Sequence, residues 1–478
     1  MIDNLEEVYH MDWLQVAKER QDELIQELQE LVQINSVLDE DTITSEVPFG
    51  DGPLKALEWL LAKGQAEGLL TKNVDNYAGH IEMGNGEDIL GILCHVDIVP
   101  IGDEADWTYP PFSGTIADGK LYARGAIDDK GPTVAAWMAM KLVKDAGIQL
   151  NKRVRMIIGT DEETGFRCVD HYFKQEEMPS IGFAPDADFP LINAEKGIAE
   201  LVFSQNKIGD ATKEQLLLFN AGKRPNMVPD FAEAKVQFVS QQFELNFQTF
   251  LSENQLEGTL LMEGSRYIIT IKGKAAHAME PEKGVNAAVY LAAFLQQELT
   301  TEASKQFVDF LADVFYQDHY GHQLNLQFED EMSGKTTLNP GIVSYDVAKG
   351  GSLVISMRYA VTYPFDKKIT AAQRFTVTKG FSLDIRDDSK PHYVSENDPF
   401  IQTLTEIYRR QTGDYETPLL STGGGTYARV MKKGVAFGML FPGEPDVAHR
   451  ADEFVVVENL VRAAAIYAEA IVELAGKK

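Results

Sequence analysis

Val154-Arg155-Met156-Ile157-Ile158-Gly159-Thr160-Asp161-Glu162-Glu163-Thr164-Gly165 decides how this chain reads. Its first half is a short apolar run of the kind that forms a buried strand, and three acids follow where the run ends. Successive side chains on an extended segment point to opposite sides. Of the adjacent pair Glu162 and Glu163, one can therefore bind a metal while its neighbour handles protons. Asp161 keeps a structural role. That chemistry needs histidines and further acids close by.

Working outward, Ile89–Cys94 is a second apolar strand, followed at once by His95 and Asp97. Thr133–Ala146 has helical spacing and lies between the two strands. Strands alternating with helices predict an α/β domain with a mostly parallel central sheet. In such sheets the functional groups gather beyond the carboxyl ends of the strands, where both acidic segments fall. Upstream, Trp13–Val37 reads as one amphipathic helix and Pro53–Leu70 as another, with Pro53 in its first turn.

The texture changes after about Gly197. Ala199–Phe203, Leu216–Phe219, Ala234–Val239 and Tyr267–Ile271 read as strands, and Asn286–Leu299 and Glu302–Tyr316 as helices. The α+β texture continues through Leu353–Val361 and Phe381–Ile385. From about Pro391 the chain is α/β again, with a helix at Asp398–Thr412, an apolar segment at Val435–Phe441 and a last helix at Glu458–Ala475. The expected organisation is a first domain built from 1–196 and 391–478, and an inserted α+β domain at 197–390, possible as two similar lobes.

Composition narrows the function. With 478 residues, 44% hydrophobic and 24% charged, the chain is an ordinary globular protein. A net charge of −29 argues against nucleic acid and against anionic membranes as partners. The acidic start Met1–Glu7 has no apolar signal-peptide core, and no long apolar run could span a bilayer. The two cysteines, Cys94 and Cys168, are read as reduced thiols in a cytoplasmic protein.

Five segments carry the chemistry: Cys94-His95-Val96-Asp97, Arg124-Gly125-Ala126-Ile127-Asp128-Asp129-Lys130-Gly131, Asp161 to Gly165, Pro185-Asp186-Ala187-Asp188, and Val447-Ala448-His449-Arg450-Ala451-Asp452-Glu453. Mixed histidine and carboxylate ligation suits zinc, with cobalt or manganese as substitutes. Taken singly each segment is an acidic loop or a satisfied histidine. Their order and conjunction make the case.

In that order the segments resemble the co-catalytic di-zinc metallopeptidases and amidohydrolases, the family of carboxypeptidase G, aminoacylase, succinyl-diaminopimelate desuccinylase and carnosinase. Within it the chain is most similar to PepV-type bacterial dipeptidases. The resemblance implies a di-zinc exopeptidase-like catalytic domain with 197–390 as its lid. It implies two Zn2+ ions: His95 and Asp186 on one, Glu163 and His449 on the other, and Asp128 bridging them. It implies Glu162 as general base toward a metal-bridging hydroxide, and Asp97 as the carboxylate that holds the His95 ring. His277, in Gly273-Lys274-Ala275-Ala276-His277-Ala278, resembles the lid histidine that stabilises the oxyanion. Asn226 and Arg358 match lid positions that bind substrate, and an arginine suits a peptide's terminal carboxylate. Read alone, Asn226 is a surface turn and Arg358 a strand-end ion pair. Ser421-Thr422-Gly423-Gly424-Gly425-Thr426 lacks the spacing of a phosphate loop; the resemblance implies that Gly424 lines the substrate pocket with backbone groups.

The family acts on amides with varied acyl groups, so fold does not settle the substrate. The resemblance implies that Asp rather than Glu at position 186, together with the long insertion, goes with free dipeptides as substrates and with a monomer. A deacylase or desuccinylase acting on N-acyl amino acids is the alternative.

Overall fold

The strand Arg153–Gly159 lies in the middle of a mixed sheet, and its neighbours explain its composition. Residues 11–207 and 209–477 are described by this computed structural model, so the N-terminal reading of Met1–Glu7 lies outside the described residues. Strands run in the order Leu70–Val74, Ala78–Gly84, Arg153–Gly159, Ile89–His95, Ile181–Ala184, Gly434–Ala436. The last four are mutually parallel, and the first two join antiparallel at the edge. Parallel strands are covered on both faces and so read as continuous apolar runs. Ile89–His95 is buried at every residue.

Helices supply the cover. Lys130–Asp145 is buried at every position from Lys130 to Val143, as a helix enclosed on all sides must be. Val457–Ala475 packs against it and against Trp13–Glu19. The aromatic residues Trp137, Phe183, Phe189, Phe437 and Tyr467 fill this core. The expected single helix over Trp13–Val37 is two helices, Trp13–Glu19 and Gln21–Val32. They break at Arg20, whose N–H bonds back to Ala17 O, and Gln33 closes the second.

The described chain divides into two compact units. One holds the chain up to Asn193, then Tyr393–Leu420 and the chain from Gly425; the other holds Ala194–His392 and Ser421–Gly424. The second unit is built on one eight-stranded antiparallel sheet. Its order is Glu257–Glu263, Arg266–Lys272, Phe231–Gln237, Leu216–Ala221, Thr337–Asp346, Gly350–Tyr359, Gly197–Gln205, Phe381–Ser389. The two halves of that sheet share a layout, with a helix, Phe243–Glu253 in one and Phe365–Thr378 in the other, ahead of the edge strand. They meet where Leu216–Ala221 pairs with Thr337–Asp346. Among the described residues no helix is long and apolar enough to cross a membrane.

Candidate metal centre and substrate loops

Parallel strands end on the same side of a sheet, and three of them bring acids and a histidine together. His95 closes Ile89–His95, Asp161–Glu163 follow Arg153–Gly159, and Asp186 follows Ile181–Ala184. Asp128 precedes the helix Lys130–Asp145, and His449 stands in the loop before Phe454–Val456. Asp128 faces both histidines at once: Oδ1 is 3.0 Å from His95 Nε2, and Oδ2 is 2.9 Å from His449 Nε2. Asp186 lies 3.6 Å from His95 Nε2, and Glu163 Oε1 lies 3.1 Å from His449 Nε2. His95, Glu162 and Asp186 form one group of potential ligands, and Asp128, Glu163 and His449 another, with ligand atoms within 4.8 Å of one another in each.

The second coordination of these groups is dense. His95 Nδ1 lies 3.0 Å from the main-chain carbonyl of Asp97 and 3.5 Å from that residue's carboxylate. The Asp97 carbonyl is the nearer partner of the ring, and its carboxylate stands beside the same nitrogen. The carboxylate also accepts the N–H groups of Glu162 and Glu163, each at 3.1 Å. It fixes the turn on which the acidic pair sits. That segment is a turn, not an extended strand end, so the pair is divided by the turn rather than by strand alternation. Asp161 is structural: it accepts from Arg167 Nε at 2.7 Å and Arg167 N at 3.1 Å and binds the Thr164 hydroxyl. Asp129 accepts from His95 N at 3.0 Å and Thr133 Oγ1 at 3.1 Å, pointing away from the ligand cluster into the fold.

The electrostatics call for cations. Burial pushes the carboxyls of Glu162 and Glu163 up, Glu163 to about 7. Burial and the charge of Asp128 push Asp186 up to about 6. Burial alone would lower both histidines, but the facing carboxylates outweigh it and hold His449 near 11 and His95 well above its usual range. Without a metal, protons are what this cluster demands. Yet His95 Nε2 is buried and makes no hydrogen bond of acceptable angle, despite two carboxylate oxygens nearby. Its lone pair and theirs converge on common points, which a divalent cation satisfies better than a proton does. The donor set therefore fits a pair of metal ions.

Two residues inside the quoted segments had no assigned role and turn out to matter. Glu453 is wholly buried. Its Oε1 accepts from Ile127 N at 3.0 Å and Asp128 N at 3.3 Å, and its other oxygen pairs with Arg124. Arg124 also donates to Arg450 O at 3.2 Å and Pro100 O at 3.3 Å. The pair staples the loop of Asp128 to the loop of His449. His449 itself has φ +64°, a left-handed backbone uncommon outside glycine and asparagine.

His277, Asn226, Arg358 and Gly424 all belong to the second unit. Asn226 is exposed and His277 half-buried on adjoining loops. Met227 bridges to His277, and Ala278 N donates to Asn226 O at 2.9 Å. Met279 N donates to His277 Nδ1 at 3.3 Å, which places the ring proton on Nε2. Arg358 is buried and donates to Gly423 O at 2.9 Å. Gly424 N bonds to Thr422 Oγ1 at 2.9 Å. Cys94 and Cys168 are buried free thiols.

The sequence profile of peptidase family M20/M25/M40 matches residues 91–473. A Bacillus subtilis protein named "Putative dipeptidase YtjP" is 48% identical over 468 residues, 97% of this chain and 100% of that one. A Staphylococcus epidermidis protein of like description is 42% identical over 467 residues, 97% of this chain and 99% of its own length. Among solved structures, human carnosine dipeptidase 1 superposes with a TM-score of 0.54 at 15% identity, covering 97% of this chain and 98% of its own. A metallo-carboxypeptidase of the M20 family from Sulfolobus solfataricus gives 0.55 at 16% identity, covering 94% and 98%. At those identities the structures speak for the fold, whereas the profile and the full-length relatives speak for descent: the chain belongs to peptidase family M20/M25/M40.

Proposed function

We propose that this protein is a dipeptidase that binds two divalent metal ions, zinc first among them, and hydrolyses the amide bond of free dipeptides. The observation that carries the reading is Asp128, whose two carboxylate oxygens face His95 and His449 at 3.0 and 2.9 Å. In this reading His95 and Asp186 hold one ion, Glu163 and His449 the other, and Asp128 both. Bound metals would supply a polarised amide carbonyl and a water acidic enough to ionise near neutrality.

The chain's own groups do the rest. Glu162, raised by burial, takes a proton from water and returns it to the leaving amine as general base and then general acid. Asp97 sets the position of Glu162 through the main-chain N–H it accepts. His277, with its proton on Nε2, donates to the developing oxyanion. Arg358 and Asn226 receive the substrate's terminal carboxylate and backbone, and Gly424 offers main-chain groups. Relatives named as dipeptidases over their full length support the substrate class. The monomeric state and cytoplasmic location read from the sequence remain part of this proposal.

The test is a panel of Leu-Gly, β-Ala-His, N-acetyl-Leu-Gly and N-succinyl-diaminopimelate with zinc, cobalt or manganese added. Free dipeptides should be cleaved, the acylated compounds spared, and a strong chelator should abolish turnover. Faster cleavage of N-acyl substrates would move the enzyme to the deacylases.

A further inference from the structure

The loop that carries Asn226 rests on an irregularity in a strand, and the irregularity is built from three consecutive residues. Thr337–Asp346 pairs with Gly350–Tyr359 in register up to Pro340, then shifts between Pro340 and Ile342, so that Gly341 is an extra residue. The neighbouring strand Leu216–Ala221 pairs with this strand only as far as Val343. Beyond that point the loop from Gly222 lies directly on the bulge. A Cβ at Gly341 would stand 2.2 Å from Pro225 O, and one at Gly222 would stand 1.8 Å from Gly341 O. No other residue permits this approach.

Asn339, the residue before Pro340, is almost wholly buried. Both of its N–H bonds leave its own strand: Nδ2 donates to Pro225 O at 3.1 Å and to Met227 O at 2.8 Å. These carbonyls flank Asn226 on either side. The opposite face of the amide meets Asn286, whose Nδ2 lies 3.5 Å from Asn339 Oδ1 and 3.0 Å from Pro340 O. Asn286 in turn caps the helix Ala287–Glu298 through the N–H groups of Ala288 and Val289. The His277 loop is tied to the same place. Val228 N donates to Ala276 O, Ala278 N donates to Asn226 O, and the Thr337 hydroxyl reaches the carbonyls of Ala278 and Met279 at 3.4 and 3.3 Å.

We infer that Asn339, seated on the Pro340-Gly341 bulge and backed by Asn286, is a positioning residue that sets the Asn226 and His277 loops for substrate. The inference rests on the assignment of Asn226 and His277 to substrate. A bulge that re-aims side chains beside a functional site is a recurrent device. Here its product is a loop fixed by two neutral hydrogen bonds at the carbonyls on either side of the residue it presents. Without those bonds the loop keeps its sequence and its contacts to the bulge but loses its registration against His277.

Steady-state kinetics on Leu-Gly with the zinc-loaded protein tests this with Asn226→Ala, Asn339→Ala and the double variant. Asn339→Ala should lower kcat/KM about 10- to 100-fold, the size of effect expected when a binding group is misplaced by about 1 Å. In the Asn226→Ala background it should cost less than about 3-fold more, because residues acting through one another are not additive. Asn339→Ser, which keeps one donor, should recover part of the loss, and bound zinc should be unchanged throughout. Wild-type kinetics for Asn339→Ala beside an impaired Asn226→Ala would overturn the positioning role alone, as would full additivity in the double variant. An unimpaired Asn226→Ala would overturn the substrate assignment and the positioning role with it. Should Asn339→Ala not fold, Asn339→Ser and Thr337→Val read the same coupling to Asn226→Ala.

Discussion

The loops of the candidate metal centre in the first unit and the loops of Asn226 and His277 in the second are fastened by opposite chemistry. Around the metal centre the fasteners are ions: Glu453 with Arg124, Asp161 with Arg167, and the Asp97 carboxylate accepting from Glu162 and Glu163. Around Asn226 and His277 they are neutral amides, a hydroxyl and main-chain groups. A cluster of four carboxylates and two histidines already carries a large desolvation cost, and charged partners with several hydrogen bonds each are what such groups need when buried. The comparison predicts that damage to the fasteners of the first region is read in metal affinity and stability, and damage to those of the second in substrate kinetics with metal affinity unchanged.

The largest effect should come from Glu162, and it tests the division of labour within the acidic pair. Glu162→Gln should lower kcat about 1,000-fold, in the range for loss of a general base, with two metals still bound. His449→Ala should lose metal instead. Because Glu162 lies within ligand distance of His95 and Asp186, metal analysis of Glu162→Gln is decisive. If that variant binds one metal, Glu162 is a ligand and the proton carrier must be sought elsewhere.

Glu453→Gln comes next. It keeps shape but leaves Arg124 buried opposite a neutral amide, a class of change that costs roughly 3–5 kcal/mol. Urea denaturation of the metal-free protein would measure it. Metal affinity, followed by chelator competition, should fall about 10- to 100-fold, as for other groups that orient ligands without touching the ion. Normal affinity with lowered stability would mean that the staple holds the fold and not the ligands.

Gly341→Ala should act on the other side of the comparison. A Cβ there meets backbone atoms of Pro225, so the loop must shift, at about 1–3 kcal/mol for overpacking. KM for Leu-Gly should rise while metal affinity stays at the wild-type value. A fall in metal affinity would break the separation between the two regions.

How much of this was legible in the sequence follows the same line. Charges at strand ends are visible because a run of apolar residues followed by acids is an unusual pattern, and it marks His95 with Asp97 and Asp161–Glu163; the segments of Asp128, Asp186 and His449 stand out only through their order and the family resemblance. Glu453 and Arg124 were inside those segments but carried no signal of their own, since nothing in a sequence tells a buried ion pair from a surface one. The strand Thr337–Asp346 was not read as a strand at all. Asn339-Pro340-Gly341 is turn chemistry, and only the bulge reconciles it with a sheet. Glu257–Glu263 escapes for another reason: it is an edge strand with Leu261 and Met262 exposed and shows little alternation, whereas Phe243–Glu253 carries Phe243, Phe247, Phe250 and Leu251 at helical spacing and was legible but overlooked. Asp97 was found, but the choice between its carboxylate and its carbonyl as partner of the His95 ring is a matter of backbone geometry.

The most gradual effect, spread over more than two pH units, separates histidines by their surroundings, and it lies in the first unit away from the acid cluster. His80 is buried in the strand Ala78–Gly84, with Nδ1 2.7 Å from the Tyr172 hydroxyl. Burial and the charges of Arg155 and Lys72, against Glu176, lower it from 6.5 to about 4, whereas carboxylates raise His95 and His449. The unfolded chain therefore binds a proton between pH 6.5 and 4 that the folded chain refuses. Stability from this group is intact above pH 6.5 and falls as the pH drops toward 4, by at most about 3 kcal/mol. Glutamine at position 80 can still meet Tyr172 but does not titrate. Urea denaturation of wild type and His80→Gln from pH 7.5 to 4 isolates the term, because the acid cluster contributes equally to both and cancels in the difference. The advantage of wild type over His80→Gln should shrink across that interval. Parallel curves would mean that His80 accepts its proton in place, and that burial without a facing carboxylate does not by itself set a histidine apart in this fold.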